Sequence, residues 1–350
     1  MAPRGASLLV FGALACASAA AAAAPSAPGA SNATTLWLIP HTHADVGWLQ
    51  TVNSLARMNV SRILDVRPLL RAHRPTHMLT AATPPQRHQR LPPHRPTAQG
   101  VTANLVNDTK KRRRFVWDEM AFLQLWWDEQ ATAAQQASFA QLVTEGRIEF
   151  VDNGWSQHDM GCTTTDSMLS NWVEGHLWIK ERFGEAAQPK VGWSLDPFGM
   201  SATQAVLQAL MGMEAWFFTR LSPDVVDALK QSKGLEFVWR ASSALPAASS
   251  EILAHVFESY YCMPLPTYAF EWGKERGAAT VTNATVEKLA RDLAAIATQR
   301  RAWFRTDNVL IPWGCGAFPS AGRAAGRRGA LLTRPPCHHP CCLLLFSSAC

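Results

Sequence analysis

Two arginine-rich stretches of this 350-residue chain contain no acidic residue, and that absence accounts for its charge. Val66–Gln99 holds six arginines, four histidines and seven prolines without one Asp, Glu or Lys. Gly316–Cys350 holds four arginines and four cysteines, again without an acid. The net charge of +6 is smaller than the ten arginines of these two stretches, so the remainder is mildly acidic. A basic groove for nucleic acid is thereby excluded from the body of the protein. Long apolar runs are also missing: none approaches the roughly 18 residues that read as a membrane span. Cysteine is scarce where it would matter. Only Cys162, Cys262 and Cys315 lie in the body, too few for a disulfide framework, and the tail pattern CHHPCC lacks regular zinc-ligand spacing.

What is present at the amino terminus is a positive residue, Arg4, then an apolar stretch from Leu8 to Ala15 and an alanine run before Pro25. This predicts a signal peptide over residues 1–24 and hence the secretory pathway. Sequons at Asn32, Asn59, Asn107 and Asn283 fit a glycoprotein.

The body alternates short apolar strands with helical stretches, which predicts a parallel α/β architecture. Strands are expected at Leu36–Pro40, Phe115–Trp117, Ile148–Val151, Val191–Leu195, Ala215–Phe218, Phe237–Trp239 and Val309–Pro312. One helix is expected to be capped by Asp166 and stopped by Gly184, another to run from Ser201 to Gly212. Polar residues cluster just after the strands: His41, His43 and Asp45, then Asp118 and Glu119, Asp152, Asp196, Arg220 and Arg240. In α/β barrels the reactive groups gather at those carboxyl ends. Val66–Gln99 breaks the pattern and reads as a disordered insertion, since a loop of that length is unusual inside a compact domain. A lid loop is the other reading.

The segment His41-Thr-His43-Ala-Asp45-Val-Gly-Trp48 concentrates imidazoles and a carboxylate at a strand end. A spacing of two places His43 and Asp45 on one side of an extended chain, as a metal chelate needs, with His41 pointing away. A core histidine with internal partners would give the same letters. Trp48 offers a flat face of the kind sugars pack on. In Val191-Gly-Trp-Ser-Leu-Asp196-Pro-Phe-Gly199, the proline and glycine enforce a turn that fixes the direction of Asp196. That carboxylate could bind metal, act as a nucleophile, or cap the next helix.

The blocks HTHADVGW, RFVWDEMAFLQLWWDE, GRIEFVDNGW, GWSLDPFG and RAWFRTDNVLIPWGC, in this order, resemble the retaining α-mannosidases of glycoside hydrolase family 38. The likeness covers residues 34–65 and 100–315. GLEFVWRASSAL and the AWFRT…PWGC block are most similar to the lysosomal and epididymal branch. The resemblance implies a seven-stranded parallel β/α barrel of the family's N-terminal type, incomplete at its C-terminal end. On this reading residues 34–315 are the catalytic domain, interrupted by 66–99, and 316–350 are an unrelated disordered tail. It implies zinc held by His43, Asp45 and Asp196, with Asp196 also the catalytic nucleophile. Trp48, Phe198, Arg220 and Tyr261 would bind substrate, the terminal α-mannose of N-glycan oligosaccharides or glycoproteins. A lysosomal, vacuolar or extracellular location follows from the same resemblance. No membrane span is expected.

Departures from the family pattern bear on activity. Where the family has its general acid/base Asp, directly after Leu310–Cys315, this chain has Gly316. The family's fourth zinc ligand is a histidine of an HHDG-like motif, whereas His338-His339 is followed by Pro340 and Cys341. Met200 replaces the His that usually follows DPFG, and the third-strand loop reads His158-Asp159-Met160 instead of HDE. Impaired turnover is therefore expected. A catalytically inactive zinc- and mannose-binding relative is the alternative. A polysaccharide deacetylase-like metal hydrolase is a third reading, disfavoured by the ordered strand-end blocks.

Overall fold

A computed structural model describes residues 34–47, 51–64, 101–265, 268–269, 279–280 and 282–314. The expected leader, Trp48, the acid-free 66–99 segment, Gly316 and the tail lie outside these residues. In chain order the structure opens with β1 (Thr35–Pro40), α1 (Val52–Leu55), a π-helical turn at Ala56–Val60, α2 (Ser61–Leu64) and α3 (Val101–Val106). Next come β2 (Phe115–Trp117), α4 (Met120–Glu129), α5 (Ala133–Thr144), β3 (Ile148–Phe150) and α6 (Thr165–Phe183). β4 (Val191–Ser194), α7 (Ala202–Leu210), β5 (Ala215–Phe218), α8 (Pro223–Ser232) and β6 (Glu236–Arg240) follow. The last are α9 (Ala247–Ser250), β7 (Glu251–Val256), the two-residue β8 (Tyr268–Ala269) and β9 (Ala279–Thr280), α10 (Val286–Arg301) and β10 (Asn308–Trp313).

The parallel α/β architecture is present, but the described strands do not close into one barrel sheet. β1 pairs in parallel with β10, β2 with β3, and β4, β5 and β7 form a parallel set. Single backbone bonds link neighbouring groups: Asp152 N–H to Val191 O at 2.7 Å, and Met263 N–H to Gly314 O at 2.9 Å. β4 and β5 are buried on both faces, as parallel strands covered by helices must be. Their residues Trp193, Trp216, Phe217 and Phe218 are fully buried, Trp193 and Phe217 in one hydrophobic cluster and Trp216 and Phe218 in another. Each such side chain contributes about 1.5–3 kcal/mol on burial.

Three expectations need correction. β7 was not anticipated, because the buried His255 interrupts the apolar run of EILAHV. β6 is antiparallel to β7, with Arg240 opposite Glu251. Arg240 therefore lies at the opposite end of the sheet from Asp196 and Arg220. The cap of α6 is Thr164, whose Oγ1 accepts the N–H of Ser167, and not Asp166. Gly184 does stop α6, with φ 82°, and Ser201 caps α7 through the N–H of Gln204. Of the described cysteines, Cys162 is a free exposed thiol and Cys262 is disulfide-bonded.

Candidate active site and metal centre

The carboxyl ends of β1, β2, β4, β5 and β7 meet over a floor formed by Ile39, Trp193, Leu195 and Leu310. After β1 the chain bends at His41. Its Nε2 donates to the Tyr261 carbonyl at 2.9 Å, and its ring stands edge-on to Trp193. His41 thus turns away from the chelate side and braces the loop after β7. Burial lowers its pKa to about 4, with the neighbouring His43 also lowering it, so the ring is neutral at physiological pH.

His43 is 4% exposed and points the other way. Its Nδ1 donates to Glu119 Oε1 at 2.5 Å, which turns Nε2 toward Asp45 Oδ1 at 3.7 Å and Asp196 Oδ2 at 3.8 Å. The three ligand atoms of His43, Asp45 and Asp196 lie within 4.8 Å of one another. Two ligands of a tetrahedral zinc stand about 3.4 Å apart, so small adjustments would bring these into range. His43 Nε2 is buried and has no hydrogen-bond partner, a costly arrangement that a metal ion would relieve. Burial opposes charging of this ring, but Glu119, Asp196 and Asp45 outweigh it and raise its pKa well above the usual value. The field at the centre of the cluster therefore favours a cation.

Asp196 is held from three directions. Arg220 Nε donates to Oδ1 at 2.9 Å, Arg220 Nη2 donates to the same oxygen, and Tyr261 OH donates at 2.9 Å. Gln157 Oε1 accepts the backbone N–H groups of Leu195 and Asp196, each at 2.8 Å, which fixes the turn. Burial raises the pKa of this carboxyl, but the nearby His43 ring and the hydrogen bonds from Arg220 and Tyr261 override that and hold it well below the usual range. The helix-capping role does not apply, because Ser201 fills it. Arg220 itself sits at φ 53°, a left-handed conformation that non-glycine residues rarely adopt. Its guanidinium lies between the rings of Phe198 and Tyr260, at 4.3 and 4.9 Å from their centroids. Phe198 is 71% exposed, leaving an aromatic face open to a ligand.

The other strand-end acids are not part of this cluster. Asp152 is buried and takes hydrogen bonds from Trp172, Gln208 and the Trp193 backbone, tying α6 and α7 to the sheet. Asp118 is buried and receives Gln157 Nε2 at 2.6 Å. Burial, with Glu119 and Asp152 nearby, raises its pKa. Two residues of the site were not singled out from sequence, Gln157 and Tyr260, and Glu119 was named only as a strand-end acid. Tyr260 OH donates to Tyr261 OH at 2.9 Å and accepts from Arg220 Nη2 at 2.9 Å. Its signal was adjacency, since two of the chain's three tyrosines stand side by side here.

Residues 33–330 match the family described as "Glycosyl hydrolases family 38 N-terminal domain". The epididymis-specific alpha-mannosidase of Homo sapiens is 33% identical over 303 residues, covering 80% of this chain and 26% of its own length. The lysosomal alpha-mannosidase of Dictyostelium discoideum is 30% identical over 295 residues, covering 81% and 25%. That of Bos taurus is 29% identical over 291 residues, covering 79% and 25%. The chain thus spans about a quarter of the length of these relatives. Among solved structures, an alpha-mannosidase from Enterococcus faecalis V583 aligns with TM-score 0.51 and 14% identity, over 82% of this chain and 25% of that one. At that identity the likeness speaks for the fold alone.

Proposed function

This chain belongs to glycosyl hydrolases family 38, and from that premise we propose that it is an α-mannosidase catalytic domain acting on terminal α-mannose of N-glycans in the secretory pathway. The observation that carries the proposal is the convergence of His43, Asp45 and Asp196 beside the Arg220–Tyr261 clasp. On this reading the parallel strands belong to the family's seven-stranded barrel.

His43, Asp45 and Asp196 would hold zinc, whose Lewis acidity would grip the vicinal 2- and 3-hydroxyls of mannose. Asp196, kept ionised by Arg220 and Tyr261, attacks the anomeric carbon as the glycosidic C–O bond breaks and the aglycone oxygen leaves and takes up a proton, forming the covalent mannosyl-enzyme that a retaining mechanism requires. The open face of Phe198 would pack on the sugar ring, and Trp48 is proposed as a further sugar-binding residue. Arg220 stabilises the carboxylate both before attack and when it leaves again as water cleaves the ester. The chain supplies no carboxyl at Gly316, where the family pattern places the general acid. That observation favours the second reading, an inactive relative that binds zinc and mannose.

Two measurements separate these readings. Metal analysis of purified protein should find one zinc per chain in the wild type and none in Asp45→Ala. An activated 2-deoxy-2-fluoro mannoside should leave a mannosyl adduct on the peptide bearing Asp196. Zinc without an adduct supports the inactive relative. Absence of both overturns the α-mannosidase proposal.

A further inference from the structure

We infer that Glu119 is a positioning residue that orients His43 for metal binding; the inference rests on the metal centre proposed above. Glu119 stands at the N-cap position of α4, yet its side chain caps nothing in that helix. Instead Oε1 accepts two N–H groups from the chain after β1: His43 Nδ1 at 2.5 Å and the Ala44 backbone at 2.9 Å. The side chain is fully buried, and Oε2 has no hydrogen-bond partner. Burying a carboxylate is costly unless a cationic or strongly donating neighbour compensates it. Both compensating donors here come from the His43–Ala44 segment.

The chemical consequence follows from the imidazole ring. A carboxylate can only accept from Nδ1, so that nitrogen keeps its proton and Nε2 is the one that gives its lone pair to a metal, losing its own proton on binding. Nε2 is the atom that faces Asp45 and Asp196. The negative charge behind the ring makes Nε2 a better donor to a cation, and the second bond, to Ala44 N–H, anchors Glu119 itself. Partners of this kind are typically worth 10–100-fold in metal affinity. Glutamine preserves the shape and both accepted hydrogen bonds but removes the charge, whereas alanine removes all three.

The test titrates metal-free full-length protein with Zn²⁺ alone by calorimetry at fixed pH, alongside the thermal midpoint of each metal-free variant. Glu119→Gln should weaken zinc binding about 10-fold or more while its metal-free midpoint stays near wild type. Glu119→Ala should weaken it further. Wild-type zinc affinity in Glu119→Gln would overturn the inference while leaving the metal centre intact. Zinc binding by wild type no tighter than by His43→Ala would sink the metal centre and this inference with it. Should the variants fail to fold, nitrogen NMR of the zinc-loaded wild type with labelled histidine decides. Zinc on Nε2 with a protonated Nδ1 supports the role, and zinc on Nδ1 refutes it.

Discussion

At the residue scale, what the sequence conveys about a side chain depends on whether its direction can be inferred. His43, Asp45 and Asp196 were legible because a spacing of two and a Pro–Gly turn constrain where they point. Asp118 and Asp152 have the same chemistry at the same kind of position but turn into the core, a difference set by Gln157, Trp172 and Gln208 from distant elements. Glu119 stands out in the sequence only as one strand-end acid among several. Only the tertiary meeting of β1 and β2 shows whom it serves. Glu149, in the middle of β3, gives a test at this scale. Burial pushes its pKa up to about 8, with Glu214 adding to the rise and Arg114 opposing it. The unfolded carboxyl ionises near 4.5, so between pH 4.5 and 8 the folded chain retains a proton that the unfolded chain has lost. Stability therefore falls as pH rises through that window and levels off above about 8. Glu149→Gln should raise the thermal midpoint at pH 8, by a gain of the order of 2 kcal/mol, and change little at pH 4.5. An equal gain at both pH values would refute the assignment.

At the scale of elements, strands buried on both faces were readable as apolar runs, and helix ends as cap residues with glycine stops. β7 was hidden because His255, buried against Glu236 at 3.0 Å, breaks its apolar run. The direction of β6 cannot be read from its own residues, since strand polarity is fixed by what it pairs with. α6 supplies two predictions. Its first turn offers Thr164 and Asp166, and the hydrogen bond lies with the former. Thr164→Ala should cost about 1 kcal/mol, whereas Asp166→Ala should cost only a few tenths through the helix dipole. Denaturant titration of both variants would reveal a reversed order if the cap is misassigned. Further along, α6 lies so close to the turn after β3 that a Cβ on Gly175 would sit 1.9 Å from Asn153 O. Asn153 cannot retreat easily, because its side chain donates to the Trp117 and Asp118 carbonyls. Gly175→Ala should therefore destabilise by about 1–3 kcal/mol. A neutral result would show that α6 has room to move.

At the scale of the molecule, the acid-free stretch and the missing acid both bear on what the chain can do. Thr102 Oγ1 donates to Leu64 O at 2.7 Å, so the chain leaves α2 and returns to α3 at nearly the same point. A chain that re-enters where it left can lose the excursion, and deleting residues 66–99 should leave the thermal midpoint within a few degrees of wild type. Loss of folding would make that segment part of the domain. The last test concerns the proton. Glycosidic cleavage of an unactivated sugar needs a positioned acid, and such help is worth about 10²–10⁴-fold. Among the described residues near Asp196, Asp45 belongs to the His43–Asp45–Asp196 cluster, Glu119 is buried behind His43, Asp159 accepts the backbone N–H groups of Phe198 at 3.2 Å and Gly161 at 2.8 Å, and Glu258 is paired with Arg300 at 2.8 Å. Asp307 precedes β10 and is bound by Arg301, at the end of the strand away from the site. None is free to protonate a leaving oxygen, and the position after Cys315 is glycine. A dinitrophenyl mannoside, whose leaving group needs no proton, should therefore mannosylate Asp196 and turn over slowly. A natural mannose disaccharide should be hydrolysed at least 10²-fold less efficiently. Comparable kcat/KM for the two substrates would show that another group supplies the acid, and the search would then turn to residues beyond Gly314.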